Sequence, residues 1–299
     1  MKLSTSLNVF NNSVTRNDAI RRCAAAGFEV LDMNYWDLQS QMLQVSWSEE
    51  ETWAKEIRTL ADQCGVRFTQ MHGPVHGGAF ANLVPGLTLD SFVGLAERSL
   101  RTAAILGIPW VVFHPSDIAK DGEEAFQEVL DFNVNFYSRL IPVLEETGVG
   151  IALENTCYVQ GCNRFFTVAE ELVQLIDILD HRLIGACWDT GHAHVHKIDH
   201  ASAFRLLGSR LKATHIHDND GVKDQHLLPY QGTIDWTRLV GTLKEIQYSG
   251  DFTYEAHNGV NKLPDAIRDA GLKFAYELGN YVISLGKEKE ERRRIKCES

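Results

Sequence analysis

Residues 149–192, VGIALENTCYVQGCNRFFTVAEELVQLIDILDHRLIGACWDTGH, contain the unit from which the fold follows. A short apolar run ends at Glu154. Val168, Leu172, Leu175, Ile176 and Leu179 then recur at helical spacing, and a second apolar run ends at Asp189. Two such runs flanking an amphipathic stretch spell strand, crossover helix and parallel strand. The same unit repeats in both directions. Strand candidates begin near Lys2, Phe28, Val66, Trp110, Val149, Leu183, Leu211 and Asp251, and all but the first two carry His, Asp or Glu where the apolar run ends.

Between them, Leu239, Leu243 and Ile246 repeat the helical stripe. Ser13/Thr15, Thr167 and Asp235 are helix-start signals, and Gly27, Gly65, Gly107 and Gly148 stand where helices should stop. Pro142 should kink or restart the fourth helical segment. Eight units in 299 residues with no linker composition predict one α/β domain, a (β/α)₈ TIM barrel over residues 1–286, with a charged tail over 287–299. A doubly wound sheet is the alternative. In both folds the carboxyl ends of the strands form the functional face.

The chain is 44% hydrophobic and 23% charged, which supplies a core and excludes disorder. Its 29 Lys and Arg against 40 Asp and Glu give a net charge of −11, which disfavours nucleic acid and anionic membrane surfaces as partners. The cysteines Cys23, Cys64, Cys157, Cys162, Cys187 and Cys297 show neither metal-site nor disulfide-scaffold spacing, so reduced thiols are expected. No apolar run suits a signal peptide or a membrane span, and a cytoplasmic protein is the expectation. Self-association into a homo-oligomer is compatible with this composition.

Ten of the twelve histidines fall at or just after predicted strand ends: His72, His76, His114, His192, His194, His196, His215, His217, His226 and His257. Glu154, Asp189, Asp224 and Glu255 join them. Acidic groups converging on one barrel mouth repel each other unless a cation sits between them. Glu154 and Glu255 should project into the mouth from opposite sides of the ring, with Asp189 and His215 between. Two Glu, one Asp and one His form a hard, oxygen-rich donor set suited to Mn²⁺ first, then Co²⁺, Mg²⁺ or Zn²⁺.

The segments IALENT, WDTGHAH, HIHDNDGVKDQH followed by GTIDW, and FTYEAH resemble, in this order, the sugar isomerase/epimerase superfamily with the xylose isomerase-like TIM barrel. The resemblance spans nearly the whole chain. It implies that Glu154, Asp189, His215 and Glu255 hold a divalent metal and that both glutamates exchange protons with substrate. His192 would meet a substrate oxygen or a second metal. The same barrel is used by the endonuclease IV class of DNA-repair enzymes, whose three-zinc pattern would add His72, His114, His192, Asp224 and His226. His215 and His217 lie two apart and point the same way on a strand. The spacing to Asp218 favours His215 as the ligand, with His217 as a substrate contact. Ketose 3-epimerases of the superfamily usually carry an arginine six residues after the metal-binding histidine, where this chain has Gly221.

Three functions follow as expectations. The first is metal-dependent isomerisation or epimerisation of a small sugar or sugar derivative by proton transfer through an enediolate, with dehydration of a keto-polyol as a near neighbour. The second is metal-dependent phosphodiester cleavage of abasic DNA. The third is a sugar-binding barrel without catalysis. Trp188, Tyr230 and Trp236 are candidate walls of a sugar pocket. Cys157 and Cys162 read as loop thiols, and Gly77-Gly78 lacks the spacing of a phosphate-binding loop.

Overall fold

A computed structural model describes residues 1–75, 88–116, 123–157 and 165–297. His76, Gly77, Gly78 and Cys162 fall outside the described residues. The first half of the chain runs β1 (Leu3–Ser6), α1 (Arg16–Ala26), β2 (Val30–Asn34), α2 (Gln39–Met42), α3 (Trp47–Gln63), β3 (Arg67–His72), α4 (Leu89–Leu106), β4 (Trp110–Phe113), α5 (Glu123–Ser138) and α6 (Ile141–Thr147). The second half runs β5 (Gly150–Glu154), α7 (Ala169–Leu179), β6 (Ile184–Asp189), α8 (Thr190–Val195), α9 (His200–Leu207), β7 (Leu211–His215), α10 (Trp236–Glu245), β8 (Phe252–Tyr254), α11 (Asn258–Asn261) and α12 (Asp265–Cys297). Short 3₁₀ turns follow β1, β2 and α9.

Every strand pairs in parallel with its successor from β1 to β7, and β1 also pairs with β8. The ring shuts through one residue past β7. The Ile216 N–H donates to Thr253 O at 2.8 Å, and the Glu255 N–H donates to Ile216 O at 3.1 Å. The architecture is a single (β/α)₈ barrel, not a doubly wound sheet.

Strand parity places the site. Leu31, Met33, Met71, Val111, Phe113, Ile151, Leu153, Ala186 and Trp188 face outward into the core beneath the helices. Their neighbours face the lumen, where Val112, Ala152, Cys187 and Ala213 form one small-residue layer. Asp32, His72, Glu154, Asp189 and His215 share this inward parity on their strands. The lower end is plugged by the Trp110 ring. It lies so close to Gly150 that a β-carbon there would collide with it, and Lys212 Nζ stands 5.6 Å from its centroid.

Local signals explain most helix ends. The side chains of Thr15 and Asp235 accept N–H groups in the first turns of α1 and α10, caps worth about 1 kcal/mol each. α7 begins one residue later than expected, with Val168 at its cap. Gly27, Gly107 and Gly148 close α1, α4 and α6 in the left-handed conformation. The expected restart at Pro142 is the break between α5 and α6. The boundary expected at residue 286 falls inside α12, which continues through the charged segment to Cys297. No helix among the described residues is long and apolar enough to cross a membrane.

Candidate metal centre

Four groups of potential ligands adjoin at the carboxyl end of the barrel; one, Glu154 with Cys187 and His215, shares two residues with the central group and is taken with it, leaving three. In the central group, Glu154, Asp189, His215 and Glu255 each offer an atom within 4.8 Å of the others. His215 Nδ1 lies 2.7 Å from Glu154 Oε1 and 3.6 Å from Glu255 Oε2, so both glutamates approach the same ring nitrogen. A second group joins His72 and His114 to Glu154, with His114 Nε2 at 2.9 Å and His72 Nε2 at 3.7 Å from Glu154 Oε2. A third gathers His192, His217, Asp224 and His226. Its rings stack, His217 on His226 at 4.0 Å and His226 on His257 at 4.3 Å. Glu154 belongs to two groups. Asp189 links the first to the third, because His217 Nε2 lies 2.9 Å from its Oδ1.

The segment Asp189-Thr190-Gly191-His192 has a structural reason at each position. The Asp189 carboxylate caps α8 by accepting the His192 N–H at 2.7 Å while facing the central group. Thr190 Oγ1 accepts the His217 N–H at 3.0 Å and donates to His217 O at 2.8 Å, pinning that histidine's backbone. A β-carbon at Gly191 would collide with the His217 ring. Asn155, next to Glu154, holds Asp189 from both sides: its Oδ1 accepts the Asp189 N–H at 2.6 Å and its Nδ2 donates to Asp189 O at 3.0 Å. Asp218 accepts from Tyr230 N–H, Ile234 N–H and the Trp236 indole N–H, which organises the long segment after β7.

Whether the residues fit a metal is tested by the far side of each ring. The Nδ1 atoms of His72, His192 and His226 lie 3.0, 2.8 and 2.9 Å from the carbonyl oxygens of Gly73, Asn155 and Glu255. A carbonyl only accepts, so a proton is assigned to Nδ1, and Nε2 is the nitrogen each ring offers to its group once that nitrogen is unprotonated. That is the arrangement of a metal-binding imidazole. The donor chemistry also grades across the mouth. The central set is oxygen-rich, whereas the His72 and His192 groups are imidazole-rich and suit Zn²⁺.

Without an ion, the carboxylates and imidazoles of the mouth hold one another in their charged forms. Burial alone would raise the Glu154 carboxyl, but His215 and His114 against it bring it well below the ordinary carboxylate range. Burial would likewise raise Asp189, and His192 and His217 depress it. Burial lowers a histidine, yet Asp189 and Asp224 lift His192 well above its usual value. Asp224 and Glu255 lift His226 to about 9 against the same opposing burial. Asp224, despite burial, is driven far below the usual range by His192 and His226.

These shifts give the metal-free protein a pH signature. The raised His226 contributes stability that is complete below the ordinary histidine value of 6.5 and is lost as pH rises through about 9. The depressed Asp224 contributes stability present above the ordinary aspartate value of 3.8 and lost as pH falls toward its folded value. Metal ligation needs unprotonated imidazoles, so affinity should climb over the alkaline window in which the metal-free fold weakens. Melting in chelator should therefore fall between pH 7 and 9.5 while the stabilisation by added Zn²⁺ grows. A flat melting temperature across that range in chelator would contradict this assignment.

All ten residues expected at the site lie in these three groups. His215 and His217 fall in different groups, His215 with the glutamates and His217 with His192, Asp224 and His226. Trp188 is buried under α9, where its indole donates to His200 Nδ1, and Trp236 is buried on Asp218, so neither lines the mouth. Tyr230 is exposed and meets Tyr281 of α12. Asp32, Asn155 and Thr190 support the site and were not among the expected residues. Asp32 stands in the middle of the apolar run VLDMN rather than at its end, where the other acidic residues were sought.

The barrel, the strand-end carboxylates and the converging histidines define one class of protein. The chain belongs to the xylose isomerase-like TIM barrel family, whose family model matches residues 20–283. It is similar to a D-psicose 3-epimerase of Enterocloster bolteae, 23% identical over 77% of this chain and 72% of that one. It is also similar to a probable endonuclease 4 of Methanoculleus marisnigri, 31% identical over 44% of this chain and 49% of that one. Among solved structures, a D-tagatose 3-epimerase-like protein superposes with a TM-score of 0.75 at 21% identity, covering 97% of this chain and 99% of the other.

Proposed function

We propose that the protein is a divalent-metal-dependent isomerase or epimerase of a small sugar or sugar derivative. The observation that carries this reading is the pair of glutamates, from β5 and just past β8, meeting at one ring nitrogen of His215 in a buried mouth. Moving a proton along a hydroxy-ketone needs a base for the C–H and stabilisation of the enediolate. An ion held by Glu154, Asp189, His215 and Glu255 would supply Lewis acidity toward the substrate's carbonyl and hydroxyl oxygens. The carboxylates carry the proton. One glutamate takes it from carbon, and the other delivers a proton to the opposite face in an epimerase. In an isomerase the first returns it to the adjacent carbon. The resemblance to a D-psicose 3-epimerase supports the first form. Dehydration of a keto-polyol would use the same first step.

Two of the described cations near the mouth are already engaged. Arg16 is spent on Asn34 O and Asp37, and Lys197 on Gly221 O. A second reading, phosphodiester cleavage of abasic DNA, is favoured by one observation, the three adjoining ligand groups that share Glu154 and Asp189. Two measurements decide between them. Protein purified without chelator is analysed for metal per chain, and a ketose such as D-tagatose is incubated with it in D₂O. Deuterium at the carbon beside the carbonyl supports the isomerase or epimerase. Three Zn²⁺ per chain with cleavage of an abasic duplex, and no deuterium uptake by any ketose of a broad panel, would overturn it.

A further inference from the structure

His215 is built the other way round from three of the other candidate ligand histidines. His72, His192 and His226 turn Nδ1 to a backbone carbonyl and Nε2 to their groups, whereas His215 turns Nδ1 to Glu154 and Glu255. Its Nε2 is buried and has no hydrogen-bond partner. The carboxylate facing it is Asp32, whose Oδ2 stands 3.7 Å away and whose residue is 1% exposed.

Asp32 is held in that position by two hydrogen bonds. Its Oδ1 accepts the His72 N–H at 3.2 Å, and its Oδ2 accepts from Gln70 Nε2 at 3.3 Å. The Gln70 amide is oriented in turn by Thr253 Oγ1, which donates to Gln70 Oε1 at 3.4 Å. The carboxylate therefore cannot rotate away without breaking a chain that crosses from β2 through β3 to β8.

A histidine that gives Nδ1 to a metal must keep its proton on Nε2, and a buried N–H with no acceptor costs about 1–3 kcal/mol. We infer that Asp32 is the positioning residue for His215: it accepts the Nε2 proton, fixes the tautomer that exposes Nδ1 to the central group, and raises the basicity of that nitrogen. No backbone carbonyl serves this ring as it does the other three. The role extends the metal-centre reading and needs no assumption about the substrate.

The test uses Zn²⁺ as probe with the full chain. Asp32→Asn preserves the side-chain shape and an oxygen for the His72 N–H, and its melting temperature in chelator checks the fold. Zn²⁺ affinity, measured by chelator competition, should drop about 10–100-fold, the usual effect of losing an outer partner of a ligand histidine. In the Zn²⁺-loaded protein the His215 Nε2–H proton should give a low-field NMR signal that moves upfield in Asp32→Asn, and Asp32→Glu should recover part of the affinity. In a His215→Ala background, Asp32→Asn should weaken binding no further. A folded Asp32→Asn protein with wild-type affinity and an unmoved His215 signal would overturn the assignment. So would equal losses with and without His215, which would mean that Asp32 acts through His72 or the barrel wall. None of these readouts requires turnover, so a failed sugar assay would leave them standing.

Discussion

Glu154→Gln and Glu255→Gln should each reduce turnover of a ketose by about 10²–10⁴-fold, the usual contribution of a positioned base. Glutamine keeps the length and one oxygen but cannot accept the proton, so turnover should fall much further than metal content. The two positions are not equivalent. Glu154 is fully buried and in contact with both His114 and His215, so its substitution should also loosen the His72 group. The Glu255 carboxylate keeps more distant neighbours, 3.6 Å from His215 and 3.8 Å from His226, and its change should fall mainly on kcat. An epimerase with one base for each face should lose its reaction in both variants, whereas a one-base isomerase should tolerate one of them. Undiminished turnover in both, with metal bound, would remove the glutamates as bases and direct attention to His192 or His217.

The second large effect is on metal content. Asp189→Asn and His215→Ala should each lower occupancy of the central group by more than the roughly 10–100-fold that follows loss of an outer partner. Asn at position 189 can still accept the His192 N–H and cap α8, so the loss should appear without unfolding. His217→Ala removes a ring from the neighbouring group and leaves the four central ligands in place. It should retain more metal than His215→Ala after dialysis. The reverse order by elemental analysis would exchange the two histidines, and full occupancy in both Asp189→Asn and His215→Ala would mean that other residues hold the ion.

The strands were legible because each is a short apolar run between helical stripes, and all eight lie where those runs begin. The candidate ligands that the structure brings together were legible where a charge abruptly ends such a run, as at Glu154 and Asp189. The division between His215 and His217 was not, because strand parity treats residues two apart as equivalent. Their separation depends on the backbone leaving β7 at Ile216 and on Thr190 and Gly191 receiving His217. Asp32 escaped for a related reason. A carboxylate in mid-strand has no local pattern, and its meaning comes from a ring nitrogen 183 positions away in sequence. Trp188 looked like a pocket wall because it adjoins Asp189, but adjacent strand residues face opposite sides.

β8 closes on β1 through a regular parallel ladder, whereas the gap between β7 and β8 is bridged in the backbone by two hydrogen bonds of Ile216. The histidine before that residue and the glutamate opposite it belong to the same ligand group. An ion held by His215 and Glu255 would therefore be a clasp across the seam as well as a reagent. Withdrawing it would loosen β7 from β8 where the barrel has least to hold it, so that loading the site and finishing the fold become a single equilibrium.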